Sequence, residues 1–175
     1  RWPDRTINDD LDRCLRERPD KVALTALSID RGQTHRFTYR ELAMLADRVA
    51  VGLSRLGVGR NDVVSCQLPN WWEFTLVYLA CSRIGAVMNP LMHIFREREL
   101  SFMLAHGRSK VVIVPKQFRG FDHEAMARAL QPHIFLGDEL RGNLIAVRAV
   151  RAGGGGDVPN NAQTALSLEP TYADD

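Results

Sequence analysis

The side chains best suited to nucleophilic, acid–base or metal chemistry are three lysines, five histidines and three cysteines. Phosphate chemistry asks for a lysine in a glycine-rich loop, and Lys21, Lys110 and Lys116 all lie outside one. Gly57-Val58-Gly59 begins like a dinucleotide fingerprint, but Asp62 stands where the third glycine belongs. That segment also leaves a helix and enters a strand, the reverse of the order that aims a helix N-terminus at a pyrophosphate. It reads as a capped turn. Gly153–Gly156 is followed by neither a Lys-Ser/Thr pair nor a helix, and reads as linker. His35, His93, His106, His123 and His133 show no H-x-x-x-H or H-E-x-x-H spacing, which argues against a metal site. His106 sits beside Gly107, where a cation complements a helix C-terminus. His93 falls in the connection Leu91–Phe95 after a short strand, the place where ligands gather in parallel α/β sheets, and reads either as a ligand contact or as a solvent-exposed histidine. Ser54, Ser65 and Ser101 lack a G-x-S-x-G setting. Asp9-Asp10 and Asp174-Asp175 read as solvated end charges. Trp71-Trp72 opens a helix and reads as packing rather than as a pocket wall. These motifs alone form no catalytic constellation.

The 175 residues suffice for one domain with a sizeable core. With 45% hydrophobic and 25% charged residues, the chain is neither fibrous nor wholly disordered. A net charge of +2 supplies no field to attract nucleic acid or anionic lipid. Cys14, Cys66 and Cys81 form no C-x-x-C pair and are odd in number, which points to a reducing cytoplasm. The longest apolar stretch, Phe74–Cys81, is too short for a membrane span. The start lacks the charged and apolar regions of a signal peptide, and Arg1 in place of methionine suggests a piece of a longer chain.

The elements that must position any site alternate between helix and strand. A helix is expected over Asp9–Arg18, then a strand Val22–Leu27, a turn at Asp30-Arg31-Gly32 and a hairpin return His35–Phe37. Thr38 and Glu41 have capping-box spacing. The helix they open carries Leu42, Leu45, Ala46, Val49, Leu53 and Leu56 on one face, and Gly57 with Val58 closes it. A strand Val63–Leu68 follows, then a helix capped by Asn70 with Glu73 three residues on and running to Gly85. Next come a strand Ala86–Asn89, a helix Arg96–His106 closed by Gly107, and a strand Val111–Val114. Asp122 caps a helix to about Gln131, and Leu144–Val147 is a last strand. Apolar strands separated by helices imply an α/β fold with a parallel or mostly parallel sheet flanked by helices. That subdomain is expected over residues 1–150, with 151–175 as Gly/Asn/Pro-rich linker opening an incomplete next subdomain.

Three stretches resemble adenylate-forming acid–CoA ligases, the acyl-CoA synthetase superfamily. Phe37-Thr38-Tyr39-Arg40-Glu41-Leu42 is similar to that family's early [FL]-[TS]-Y-x-E-L motif. Gly57-Val58-Gly59 through Leu68-Pro69-Asn70 and Glu73-Phe74 resembles its GV-x-x-GD-x-V…LPN-x-x-EF segment. Arg83-Ile84-Gly85-Ala86-Val87 through Asn89-Pro90-Leu91 resembles its R-x-GA-V-x-x-PL segment. The matching positions Thr38, Tyr39, Glu41, Pro69, Asn70, Gly85 and Pro90 are expected to serve structure. The wording of Leu68–Phe74 and Asn89–Leu100 is most similar to the cyclohexanecarboxylate–CoA ligase and medium-chain acyl-CoA synthetase branch.

The resemblance implies two half-reactions: a carboxylate attacks the α-phosphate of ATP, with Mg²⁺ offsetting charge, and CoA thiol then displaces AMP. The family's phosphate loop, ribose-binding aspartate and C-terminal lysine have no counterpart in residues 1–175. The chain is therefore expected to be an N-terminal part, inactive alone, with no catalytic residue and no bound cofactor of its own. ATP, Mg²⁺ and CoA belong to the full-length enzyme, and the remainder of the ligase chain is the expected partner. The resemblance further implies that Met92, His93, Ile94 and Arg119 lie near bound CoA, with Arg119 meeting a phosphate; the alternative reading of Arg119 is an exposed surface arginine. A homodimer through an exposed apolar face is a further expectation. The rival reading is a stand-alone, non-catalytic binding or dimerisation module. A flavodoxin-like nucleotide binder ranks last for want of a phosphate cradle.

Overall fold

The computed structural model describes residues 4–29, 32–130, 134–141 and 144–149. Helix α1 spans Ile7–Glu17 and begins two residues earlier than the apolar spacing predicts. Its cap is Thr6, whose hydroxyl accepts from the Asp9 amide while the Asp9 carboxylate accepts from the Thr6 amide at 2.6 Å. Asp9 is thus half of a capping box, not a free end charge, and these bonds hold its pKa below the ordinary carboxylate value. Strands β1 (Val22–Ser28) and β2 (Gln33–Thr38) form the expected antiparallel hairpin. Asp30 and Arg31 of its turn lie outside the described residues.

Helix α2, Tyr39–Arg55, starts with the expected box: Thr38 and Glu41 exchange main-chain and side-chain bonds at 2.7 and 3.2 Å. The Tyr39 amide reaches the Lys21 carbonyl, seating the helix on the start of β1. At its end Gly57 takes φ 80°. The Gly57 amide reaches the Ser54 carbonyl and the Val58 amide the Leu53 carbonyl, a Schellman closure with Val58 buried.

Strand β3 (Val63–Cys66) is followed by α3, Trp72–Ile84. Here the expected cap fails. Asn70 is exposed, and the cap residue is Trp71, whose side chain makes no capping hydrogen bond. A tight turn from the Trp71 amide to the Pro69 carbonyl advances the start by one residue, and burial of Trp72 and Glu73 anchors the first turn. At the other end Gly85 caps in the left-handed region at φ 69°. Strand β4 covers Val87–Pro90, α4 Glu97–His106 and β5 Ser109–Pro115. Gly107 ends α4 with right-handed backbone, and Arg108 makes the positive-φ turn instead. Short strands β6 (Gln117–Phe118) and β7 (Phe121–Asp122) precede α5, His123–Ala129, which Asp122 caps as expected.

The main sheet has the order β4-β3-β5-β9-β8, where β8 is Ile134–Arg141 and β9 Leu144–Ala149. Strand β3 pairs in parallel with both β4 and β5, the crossover arrangement expected of strands separated by helices. Strand β9 extends the expected last strand, and β8, which the sequence reading lacks, joins it as an antiparallel hairpin at the edge of β5. Alternation along the central strands divides the core. Val64, Cys66, Val111 and Ile113 pack with α2 and α3, whereas Val112 and Val114 pack with α4 and α5. The linker expected over 151–175 lies outside the described residues.

Candidate functional site

The carboxyl ends of β3, β4 and β5 converge on one edge, where the connections after them meet. After β4, Met92–Phe95 forms a turn closed by the Phe95 amide on the Met92 carbonyl at 3.1 Å. Met92 and Ile94 project as exposed side chains, while His93 is half-buried. After β5, Arg119 and Gly120 join β6 to β7 with φ 49° and 75°. Two successive left-handed residues make a hairpin turn whose first position rarely carries an arginine.

These two connections touch. The His93 ring lies edge-on to Phe118 with centroids 5.0 Å apart, and Arg119 places its guanidinium carbon 5.3 Å from the same ring centre. Trp71, at the start of α3, meets Phe118 edge-on at 5.7 Å. Trp72 behaves as packing, tilted against Phe37 at 4.9 Å in the core. The structure therefore brings His93 and Arg119 together around Phe118, with Met92 and Ile94 on the same turn. Pro69 and Pro90 end the runs that lead into this edge, and Gly85 and the Thr38–Glu41 box lie elsewhere as structural elements. His106 stacks on Phe102 at 5.5 Å on α4.

Three side chains of this edge were not singled out from the sequence. Gln67 is fully buried immediately after β3. Its Nε2 donates to the Met92 and Phe95 carbonyls, both at 3.0 Å. His123, 1% exposed at the start of α5, brings Nδ1 to 3.4 Å from Gln67 Oε1. Burial pushes the His123 pKa down to about 4, the Arg96 and His93 charges adding to the shift while Asp122 opposes it. Arg96 closes the turn from the solvent side. Its Nη1 donates to the His93 and Phe95 carbonyls at 2.9 and 3.0 Å, and its guanidinium lies 3.9 Å from the Phe121 ring centre. The edge thus offers arginine cations and aromatic faces above a turn whose carbonyls are held from below and above. Such a surface suits an anionic ligand with a planar or apolar portion. Among the described residues no group of three or more His, Cys, Asp or Glu side chains is gathered, and no helix is long and apolar enough to cross a membrane.

Residues 11–153 match the family described as AMP-binding enzyme. The chain is 34% identical over 156 residues to 2-hydroxy-7-methoxy-5-methyl-1-naphthoate–CoA ligase of Streptomyces carzinostaticus, covering 85% of this chain and 27% of that protein. It is 35% identical over 118 residues to medium-chain fatty-acid–CoA ligase of Escherichia coli (strain K12), covering 67% and 20%. Among solved structures, an acyl-CoA synthetase of Brucella canis superposes with a TM-score of 0.53 at 30% identity, covering 58% of this chain and 19% of that one. The chain spans about a quarter of the length of the curated relatives it matches.

Proposed function

Because this chain belongs to the AMP-binding enzyme family, we propose that it is the N-terminal part of an ATP-dependent, AMP-forming carboxylic acid–CoA ligase. The observation that carries the reading is the convergence of His93, Arg119 and Phe118 at the carboxyl edge of a parallel sheet. In the full-length enzyme this edge faces CoA: Arg119 meets a phosphate by charge-assisted hydrogen bonds, and Met92, His93 and Ile94 border the same ligand. ATP and Mg²⁺ are the business of the rest of the ligase chain, so these residues alone do not turn over substrate. The acid is a small carboxylate whose identity lies with downstream residues, in keeping with relatives named for naphthoate, dihydroxybenzoate, medium-chain fatty acids and acetyl-coenzyme A. The cytoplasm is the compartment that suits free, buried thiols at Cys66 and Cys81.

The test is acid-dependent exchange of pyrophosphate into ATP by the whole protein expressed from its native gene, with its intact mass measured alongside. A mass several-fold above that of this chain together with exchange supports the ligase reading. A mass equal to that of this chain with no exchange supports the rival, a stand-alone binding or dimerisation module. One observation favours that rival: Met44 and Val51 stand half-exposed on α2 beside Leu15 and Pro19, an apolar patch bordered by Arg40, Asp47 and Arg48 that a second copy would cover.

A further inference from the structure

Gln67 touches all three connections of the site. It follows β3, it holds the turn after β4 through the Met92 and Phe95 carbonyls, and it faces His123 at the start of α5. Its own amide donates to the Ile113 carbonyl at 2.9 Å, so its backbone is fixed to β5 one residue beyond the paired strand. The orientation of its side chain follows from chemistry. Main-chain carbonyls only accept, so the NH₂ end must face them and Oε1 must face His123. His123 therefore carries a proton on Nδ1 and donates it. Burial that disfavours the imidazolium keeps the other ring nitrogen unprotonated. Glutamate in place of Gln67 would bring acceptors against two carbonyls, and an apolar residue would leave both carbonyls without this buried donor.

We propose that Gln67 and His123 are positioning residues for the turn Met92–Phe95. Together they set its backbone, and with it the placement of His93 against Phe118, for the thioester-forming half-reaction. The inference rests on the reading of this edge as the one that faces CoA. It goes beyond that reading by assigning the geometry of the turn to two buried side chains that do not touch ligand. Because the acid and ATP are handled elsewhere, the effect is confined to the second half-reaction.

The experiment uses the full-length protein with Gln67→Met, His123→Phe and His123→Asn variants. Gln67→Met keeps the side-chain length and removes both donors. His123→Phe removes the third contact and leaves the loop bonds in place. His123→Asn keeps an N–H where Nδ1 stood. The expected result is a KM for CoA raised about tenfold by Gln67→Met, a smaller rise with His123→Phe, and recovery with His123→Asn. Acid-dependent pyrophosphate exchange keeps its wild-type rate throughout, and amides of residues 92–95 exchange hydrogen faster in Gln67→Met. If Gln67→Met does not fold, the His123→Phe and His123→Asn pair decides, since only a positioning role predicts loss in one and recovery in the other. An unchanged KM in the folded variants, or equal losses in both half-reactions, would overturn the inference. A wild-type protein that forms no thioester would instead overturn the ligase reading, and this inference with it.

Discussion

His93 and Arg119 share one aromatic ring: the imidazole stands edge-on to Phe118 at 5.0 Å, and the guanidinium carbon lies 5.3 Å from the same centre. Residues from separate crossovers meet there because β4 and β5 both run parallel to β3, so the connections after them leave the sheet at the same edge. A cation held against an aromatic face is pre-placed for an anion, so little ordering of that side chain would remain on binding one.

Arg119→Ala in the full-length protein is expected to weaken CoA binding about tenfold at low salt, with the difference shrinking as salt rises. Titration calorimetry across a salt series checks it. Equal affinities at every salt concentration would remove Arg119 from the site.

Gly85→Ala is expected to destabilise the fold by about 1–2 kcal/mol. Its φ of 69° disfavours any Cβ, and the added atom would meet Arg60 Cγ at 3.3 Å, which a flexible side chain can relieve. Denaturant unfolding measures the difference, and a variant as stable as the parent would contradict the left-handed cap.

His123 makes stability depend on pH in a defined direction. Its folded pKa of about 4 lies below the ordinary 6.5. Between those values the unfolded chain binds a proton that the folded chain refuses, so its contribution is whole above pH 6.5 and falls as the pH drops toward 4. The slope attributable to one such group is at most about 1.4 kcal/mol per pH unit. His123→Asn should flatten the pH dependence of unfolding free energy across that window. An identical slope would contradict a buried neutral imidazole.

The thiols should differ in reactivity. Burial pushes Cys66 and Cys81 up to about 12, whereas Cys14 is half-buried. Brief alkylation of the native protein, read by peptide mass, is expected to label Cys14 first. Labelling of Cys66 or Cys81 at the same rate would show that the core between α3 and the sheet opens.

Legibility followed the range of the interaction. The Thr38–Glu41 box and the Gly57–Val58 closure are readable because each joins residues within a few positions and depends on side-chain type alone. Asn70 misled because its chemistry suits a cap. The neighbouring Pro69–Trp71 turn and the burial of Trp72 placed the helix one residue on. The β6–β7 hairpin was missed because Arg119 occupies a left-handed position that sequence patterns reserve for Asn, Asp or Gly. Gln67 and His123 meet across 56 positions, which no local pattern reports. The available signal was a long amide side chain in the mostly apolar run Val63-Val64-Ser65-Cys66-Gln67-Leu68, since a glutamine in such a run needs partners.

Whether this chain belongs to an acid–CoA ligase is decided by the products formed when the full-length protein meets ATP, Mg²⁺, CoA and a panel of aromatic, medium-chain and short carboxylic acids. AMP, pyrophosphate and an acyl-CoA thioester are expected in equal amounts with at least one acid. Formation of ADP and phosphate, or no acid-dependent consumption of ATP across the panel, would contradict it.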